Sequence, residues 1–262
     1  MKRLIVNADD LGVGKRRNDG IVEAHRLGIV TSTSVIVNGE AFDHAVDLLR
    51  ETPSLDVGLH LNLSEGPAVG EGYRTLVDAE GQFFGKEATR QKADEGAFDP
   101  EEIERETEAQ WKRLVEQGVQ PSHIDSHQHI HIYGKLFEPV VRVARDHGVR
   151  FVRLPQEPSD GTARMEEYRS HVEKVKSAFP AGGVDAFIGI TLTGCMSRER
   201  VLELVGNLGE GVTELMVHPG YSDRPDGFSG PDREVELEVL TDKELHRQIE
   251  EGGIELVRFR DL

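Results

Sequence analysis

The sequence predicts an α/β fold, a single distorted (β/α) barrel of the TIM-like kind, on three observations. Short β-branched apolar runs recur along the 262 residues, stretches with helical periodicity separate nearly all of them, and several of those stretches stop at glycine. Strands of a parallel sheet are buried on both faces and read as short continuous apolar runs. Glycine takes the left-handed conformation that ends a helix. The alternation repeats about eight times with no internal repeat, low-complexity tract or linker. One parallel barrel over residues 1–262 accounts for that better than two domains.

In order, the first strand covers residues 4–8 and runs into Asp9, Asp10, Leu11 and Gly12. A helix follows over 18–27, ending at Gly28, then a strand over 34–38 and a helix over 41–51. The third strand, 56–62, precedes a break in the rhythm over 64–99, a long Gly-rich segment carrying Tyr73, Phe83 and Phe84. The helix over 100–117 stops at Gly118, and a short fourth strand covers 123–126. The helix over 136–147 stops at Gly148, and the fifth strand is 151–154. A helix over 163–178, a strand over 186–191 and a helix over 197–208, closed by Gly209, come next. The seventh strand, 214–218, leads into a second break, 219–233, rich in Gly, Pro and Asp and carrying Tyr221 and Phe228. The last helix, 241–251, stops at Gly252 before a strand over 255–259. Both breaks follow strands, so a barrel would hang them over the C-terminal face, where ligands bind.

Composition narrows the function. A net charge of −17 argues against a broad nucleic-acid or anionic-membrane surface. No apolar run reaches membrane-spanning length, and a strand beginning so near Met1 leaves no room for a signal peptide, so cytoplasmic residence is expected. The single Cys195 cannot form an internal disulfide; Gly194 and Met196 supply no base, so it reads as a partly buried bystander. The acidic runs at residues 101–106 and 234–238 read as solvated helix faces. A homo-oligomer is compatible with all of this.

The chemistry collects at strand ends. The first strand delivers Asp9 and Asp10, the third His60 and Asn62, the fourth Asp125, His127, His129 and His131, the fifth Arg153, and the seventh His218. A barrel brings such groups to one rim. Each also has a plainer reading. The aspartates could cap a helix, His60 could be a core histidine bonded to a carbonyl, and His218 could be a turn residue. Asp125, His127, His129 and His131 recur with period two and would share a face if the chain stays extended. One carboxylate and two imidazoles make a competent divalent-metal site, and Asp10, His60 and His127 would supply it. Asp9 and His218 are then available as base and acid. Ligand type alone leaves zinc, magnesium and other divalent ions open. Strand alternation points neighbours to opposite faces, so Asp9 and Asp10 can reach one site only if the backbone turns there.

Residues 7–12 (Asn-Ala-Asp-Asp-Leu-Gly), 58–62 (Gly-Leu-His-Leu-Asn), 125–129 (Asp-Ser-His-Gln-His), 153–155 (Arg-Leu-Pro) and 217–220 (Val-His-Pro-Gly) together resemble the YdjC family, which includes chitooligosaccharide deacetylases. That family is similar to the polysaccharide deacetylases in its distorted barrel and one-Asp, two-His metal centre. The resemblance implies that Asp10, His60 and His127 bind one divalent metal, magnesium or zinc. It also implies Asp9 as base, Arg153 as the residue tethering it, and His218 as general acid. The reaction implied is hydrolysis of an N-acetyl group from a small amino-sugar substrate, releasing acetate. His129, Tyr73, Phe83, Phe84 and Tyr221 are candidates for the substrate cleft, and the aromatics could equally anchor loops. Two other classes remain. An amidohydrolase-like enzyme would be expected to carry a His-x-His pair on its first strand, where this chain has Asp9-Asp10. A sugar-binding protein with a non-catalytic metal would have no use for a spare acid and base.

Overall fold

The computed structural model describes residues 1–157, 161–176, 184–222 and 230–262. Phe228 and the last two residues of the expected 163–178 helix lie outside the described residues. The chain forms two compact units: residues 1–34, 40–56 and 184–262 make one, and 35–39 with 57–183 make the other. Lys2–Leu11 pairs in parallel with Gly211–Val217 and Ile254–Leu256, Ala186–Ile188 with Gly211–Val217, and His123–Ser126 with Asp56–Leu61 and Phe151–Val152. Helices alternate with the strands, as an α/β barrel-like fold requires.

In the first unit, β1 (Lys2–Leu11) lies between β2 (Ser32–Val35) and β7 (Gly211–Val217), and β7 carries β6 (Ala186–Ile188) on its other edge. β8 (Ile254–Leu256) pairs with the first residues of β1. Leu4, Ile5, Val6 and Ala8 are wholly buried, the behaviour of a parallel strand covered on both faces. The unit's helices are α1 (Lys15–Arg26), α2 (Phe42–Arg50), α7 (Arg198–Gly206), α8 (Asp232–Leu240) and α9 (Lys243–Glu251). Ser197 caps α7 and Asp242 caps α9, each side chain accepting from a first-turn N–H. Gly20 of α1 sits so close to the chain after β7 that a Cβ there would lie 2.5 Å from the Cα of Gly220.

The second unit has the order β5-β4-β3: β3 (Asp56–Leu61), β4 (His123–Ser126) and β5 (Phe151–Val152). Its helices are α3 (Lys86–Asp94), α4 (Pro100–Val115), α5 (Phe137–Asp146) and α6 (Ala163–Lys176). α4 starts where Asp99 caps the N–H of Glu101 and Pro100 takes the first helical turn.

Several elements depart from expectation for local reasons. The second strand ends at Val35 because Gly39 turns back to donate to the carbonyl of Ile36. The sixth ends at Ile188, where the carbonyl of Gly189 accepts from Leu192 and Thr193. The eighth ends at Leu256, and Phe259–Asp261 turn as a 3₁₀ helix braced by Arg258 on Asp261. Cys195 is exposed rather than partly buried.

The acidic runs are solvated only in part: Glu101, Glu234 and Glu238 are exposed, whereas Glu102, Glu106 and Glu236 are buried. Glu102 and Glu106, one helical turn apart on α4, are buried and hold the loop before it. Glu102 accepts from the N–H groups of Arg74, Thr75 and Leu76 and from the Thr75 hydroxyl. Glu106 accepts from the N–H groups of Val69 and Gly70, from the Tyr73 hydroxyl and from Gln110. Burial opposes ionisation of Glu102, yet these donors outweigh it and hold the carboxyl below its usual range.

Candidate active site

β1 brings two buried carboxylates to the end of the first unit's sheet. Asp9 and Asp10 are 2% and 1% exposed, and Asp10 has φ 72, a left-handed conformation rare outside glycine. That is the turn the alternation argument requires. Gly12 follows with φ 104, its N–H donating to Asn18 Oδ1 at 2.7 Å, so α1 secures the far side of the turn. Asn7 donates from Nδ2 to Asp9 Oδ1 and to Ser34 Oγ, both at 2.8 Å, which orients the Asp9 carboxylate. Asp10 Oδ2 pairs with the buried Arg17 at 3.1 Å. The β1–β7 register runs to Ala8↔Val217, so Asp9 and His218 are the next residues on neighbouring chains. His218 is buried; Glu236 accepts from its N–H and Arg233 donates to its carbonyl.

β3 and β4 assemble the second unit's polar groups. Their register sets His60 opposite Asp125. His60 Nδ1 lies 2.7 Å from Asp125 Oδ1, and Asp125 Oδ2 lies 2.8 Å from Arg153. A carboxylate on Nδ1 fixes the tautomer in which Nε2 carries the lone pair, the usual preparation of a ligating histidine. Burial opposes the Asp125 anion, but Arg153 and His60 hold its carboxyl far below the ordinary aspartate range. Arg153 is thus an ion-pair partner of Asp125.

The chain does not stay extended after β4. His127–Ile132 fold into a 3₁₀ turn in which Gln128 and His129 have φ 57 and 54. The four period-two residues therefore separate. His127 is buried with Nε2 3.6 Å from Glu65. His129 is buried edge-on to Tyr168, its pKa pushed well down by burial and then by Arg153. His131 is buried, held between Ser126 Oγ and the Arg153 carbonyl, and burial pushes it down to about 4. It is a satisfied core histidine. The described non-glycine residues with positive φ are Asp10, Gln128 and His129, all beside candidate site residues, where backbone strain tends to be kept.

The loop aromatics each have contacts of their own. Tyr73 gives its hydroxyl to Glu106 and its ring to Arg105; Phe83 is buried; Phe84 stacks on Phe98. Tyr221 donates to Glu23 at 2.5 Å with Arg16 against its ring. Arg17, Arg233 and Glu236 carried no sequence signal beyond ordinary helix charge. Asp125 had one, its place two residues before His127, without a role attached.

Each unit presents buried side chains of the types that ligate a metal ion, Asp9 and Asp10 in the first and His60, Asp125 and His127 in the second. Their chemistry fits one: hard carboxylate oxygens, and an imidazole already oriented through Nδ1.

Comparison with known proteins gives this donor set its context. A family model described as YdjC-like protein matches residues 3–251. A carbohydrate deacetylase of Brevibacillus brevis is 40% identical over 99% of both chains. A chitooligosaccharide deacetylase of Salmonella typhimurium is 36% identical over 99% of this chain and 98% of its own. Among solved structures, a proposed cellobiose-phosphate cleavage protein from Enterococcus faecalis superimposes with a TM-score of 0.80 at 28% identity, over 99% and 98% of the two chains. The chain belongs to the YdjC family.

Proposed function

We propose that the protein is a metal-dependent carbohydrate N-deacetylase that hydrolyses N-acetyl groups on amino sugars or short chitooligosaccharides and releases acetate. The observation that carries this is end-to-end similarity to relatives bearing deacetylase names. By their match to the family's motif positions, Asp10, His60 and His127 are the metal ligands, with magnesium or zinc as the ion. Such an ion supplies Lewis-acid polarisation of the acetamide carbonyl. Asp9, oriented by Asn7, takes the proton of the attacking water. An amide nitrogen leaves poorly unless protonated, and His218 delivers that proton. Each transfer contributes on the order of 10²–10⁴ in rate. Arg153 acts through Asp125, holding the carboxylate that orients His60. His129 and the loop aromatics serve the site as packing, supporting the backbone around it. Cytoplasmic residence belongs to this reading, supported by a single cysteine. No helix among the described residues is long and apolar enough to cross a membrane.

The test is acetate release from a panel of N-acetylated amino sugars and chitooligosaccharides by metal-loaded protein, with and without a chelator. Release that stops on chelation and returns with metal is expected. No release across the panel overturns the assignment.

A further inference from the structure

α8 aims two buried ionisable side chains at the backbone of one residue. Arg233 and Glu236 lie one turn apart on that helix and are 0% and 1% exposed. Glu236 Oε2 accepts the N–H of His218 at 2.5 Å, and an Arg233 nitrogen donates to the His218 carbonyl at 3.0 Å. The Arg233 carbonyl in turn accepts the N–H of Gly220 at 3.2 Å. Both peptide groups flanking the His218 Cα are therefore held by one helical turn. Pro219 adds to this by confining the residue before it to extended conformations. On the opposite side, Gly20 of α1 packs directly on Gly220.

The two charges are not arranged chiefly for each other. Their closest approach is 3.7 Å, longer than the contacts each makes to His218. Burying an ion pair is costly, and an apolar pair of similar volume often serves stability as well or better. Burial pushes Glu236 up to about 8, Arg233 pulling the other way and Asp232, Asp9 and Asp10 adding to the rise. The arrangement is thus maintained against a penalty, and what it secures is the location of one backbone segment.

We propose that Arg233 and Glu236 are positioning residues that clamp the His218 peptide, fixing the point from which the imidazole reaches the departing amine. This rests on the reading of His218 as general acid. Misplacing a proton donor by about 1 Å costs on the order of 10²-fold in rate.

The experiment is a double-mutant cycle with metal content measured alongside. Glu236→Leu fills the same space without an acceptor; it should lower kcat on the order of 10²-fold, with KM and bound metal little changed. Glu236→Gln, which keeps an acceptor oxygen, should recover most of that loss. In a His218→Ala background, Glu236→Leu should cost almost nothing further, because the group it positions is gone. Equal losses in both backgrounds, or a loss confined to KM, overturn the clamp. If Glu236→Leu does not fold, Arg233→Met carries the same cycle with the same criterion. A His218→Ala enzyme with undiminished kcat would instead remove the general-acid reading, and the clamp with it.

Discussion

Replacing Asp125 by asparagine separates the demands on one buried carboxylate. Its two oxygens serve two donors, His60 Nδ1 at 2.7 Å and Arg153 at 2.8 Å, with no exposure to solvent. Asparagine offers one acceptor oxygen and one NH₂ group. If the oxygen faces Arg153, the NH₂ faces His60 and forces Nδ1 to accept, moving the ring proton to Nε2 and blocking it as a ligand. If the oxygen faces His60, the NH₂ meets the Arg153 guanidinium. Either way a buried cation loses its counter-charge, which costs about 3–5 kcal/mol. That is survivable for a domain with about 5–15 kcal/mol of stability. Loss of an outer-shell partner weakens metal binding about 10–100-fold. Calorimetric titration of the metal-free variant with Zn²⁺, beside denaturant unfolding, reads both quantities. The pH dependence is also constrained. Burial raises the Asp125 pKa, but Arg153 and His60 together leave it far below the ordinary aspartate range. A carboxylate depressed in this way stabilises fully above its unfolded pKa and loses that contribution only as pH falls through the folded value. Ionisation of Asp125 itself should therefore add no pH dependence to stability from pH 5 to 8. A folded asparagine variant that binds Zn²⁺ as tightly as the native protein would refute the argument.

Three further outcomes follow from the same contacts. Tyr73→Phe removes one hydrogen bond to Glu106 and should cost about 1 kcal/mol in denaturant unfolding while leaving KM unchanged, since the ring anchors the loop. Glu102→Gln should destabilise the protein at neutral pH and reduce its sensitivity to acid: a depressed carboxyl contributes above its unfolded pKa and loses that contribution as pH falls through the folded one. An unchanged acid-unfolding midpoint would count against the clamp on residues 74–76. Gly20→Ala sets a Cβ 2.5 Å from the Gly220 Cα, so it should cost about 1–3 kcal/mol and lower kcat by shifting His218. Thermal unfolding and turnover measure the pair.

How far the sequence reached can be judged residue by residue. The parallel strand–helix plan was legible because apolar runs and glycine stops are local signals. So was the turn at Asp10: period-two alternation forbids adjacent side chains on one face, and φ 72 is how the chain resolves the conflict. The same alternation misled at residues 125–131, because nothing local announces that Gln128 and His129 adopt positive φ without being glycine. His60 and Asp125 were visible separately, but their partnership depends on the β3–β4 register, a tertiary property. Glu102, Glu106 and Glu236 look like ordinary solvated helix charge. They are buried because loop N–H groups, distant in sequence, need acceptors. The aromatic rings pointed equally to cleft and anchor, and their contacts with Glu106, Phe98 and Glu23 depend on tertiary packing that no local signal announces.

The central claim is that two adjacent carboxylates hold separate jobs, Asp10 binding metal and Asp9 moving a proton. Bound metal and acetate turnover of Asp9→Asn and Asp10→Asn, measured side by side, test it most directly. The account predicts that Asp9→Asn keeps its metal and loses turnover, whereas Asp10→Asn loses metal and turnover together. Equal metal loss in both variants would contradict it.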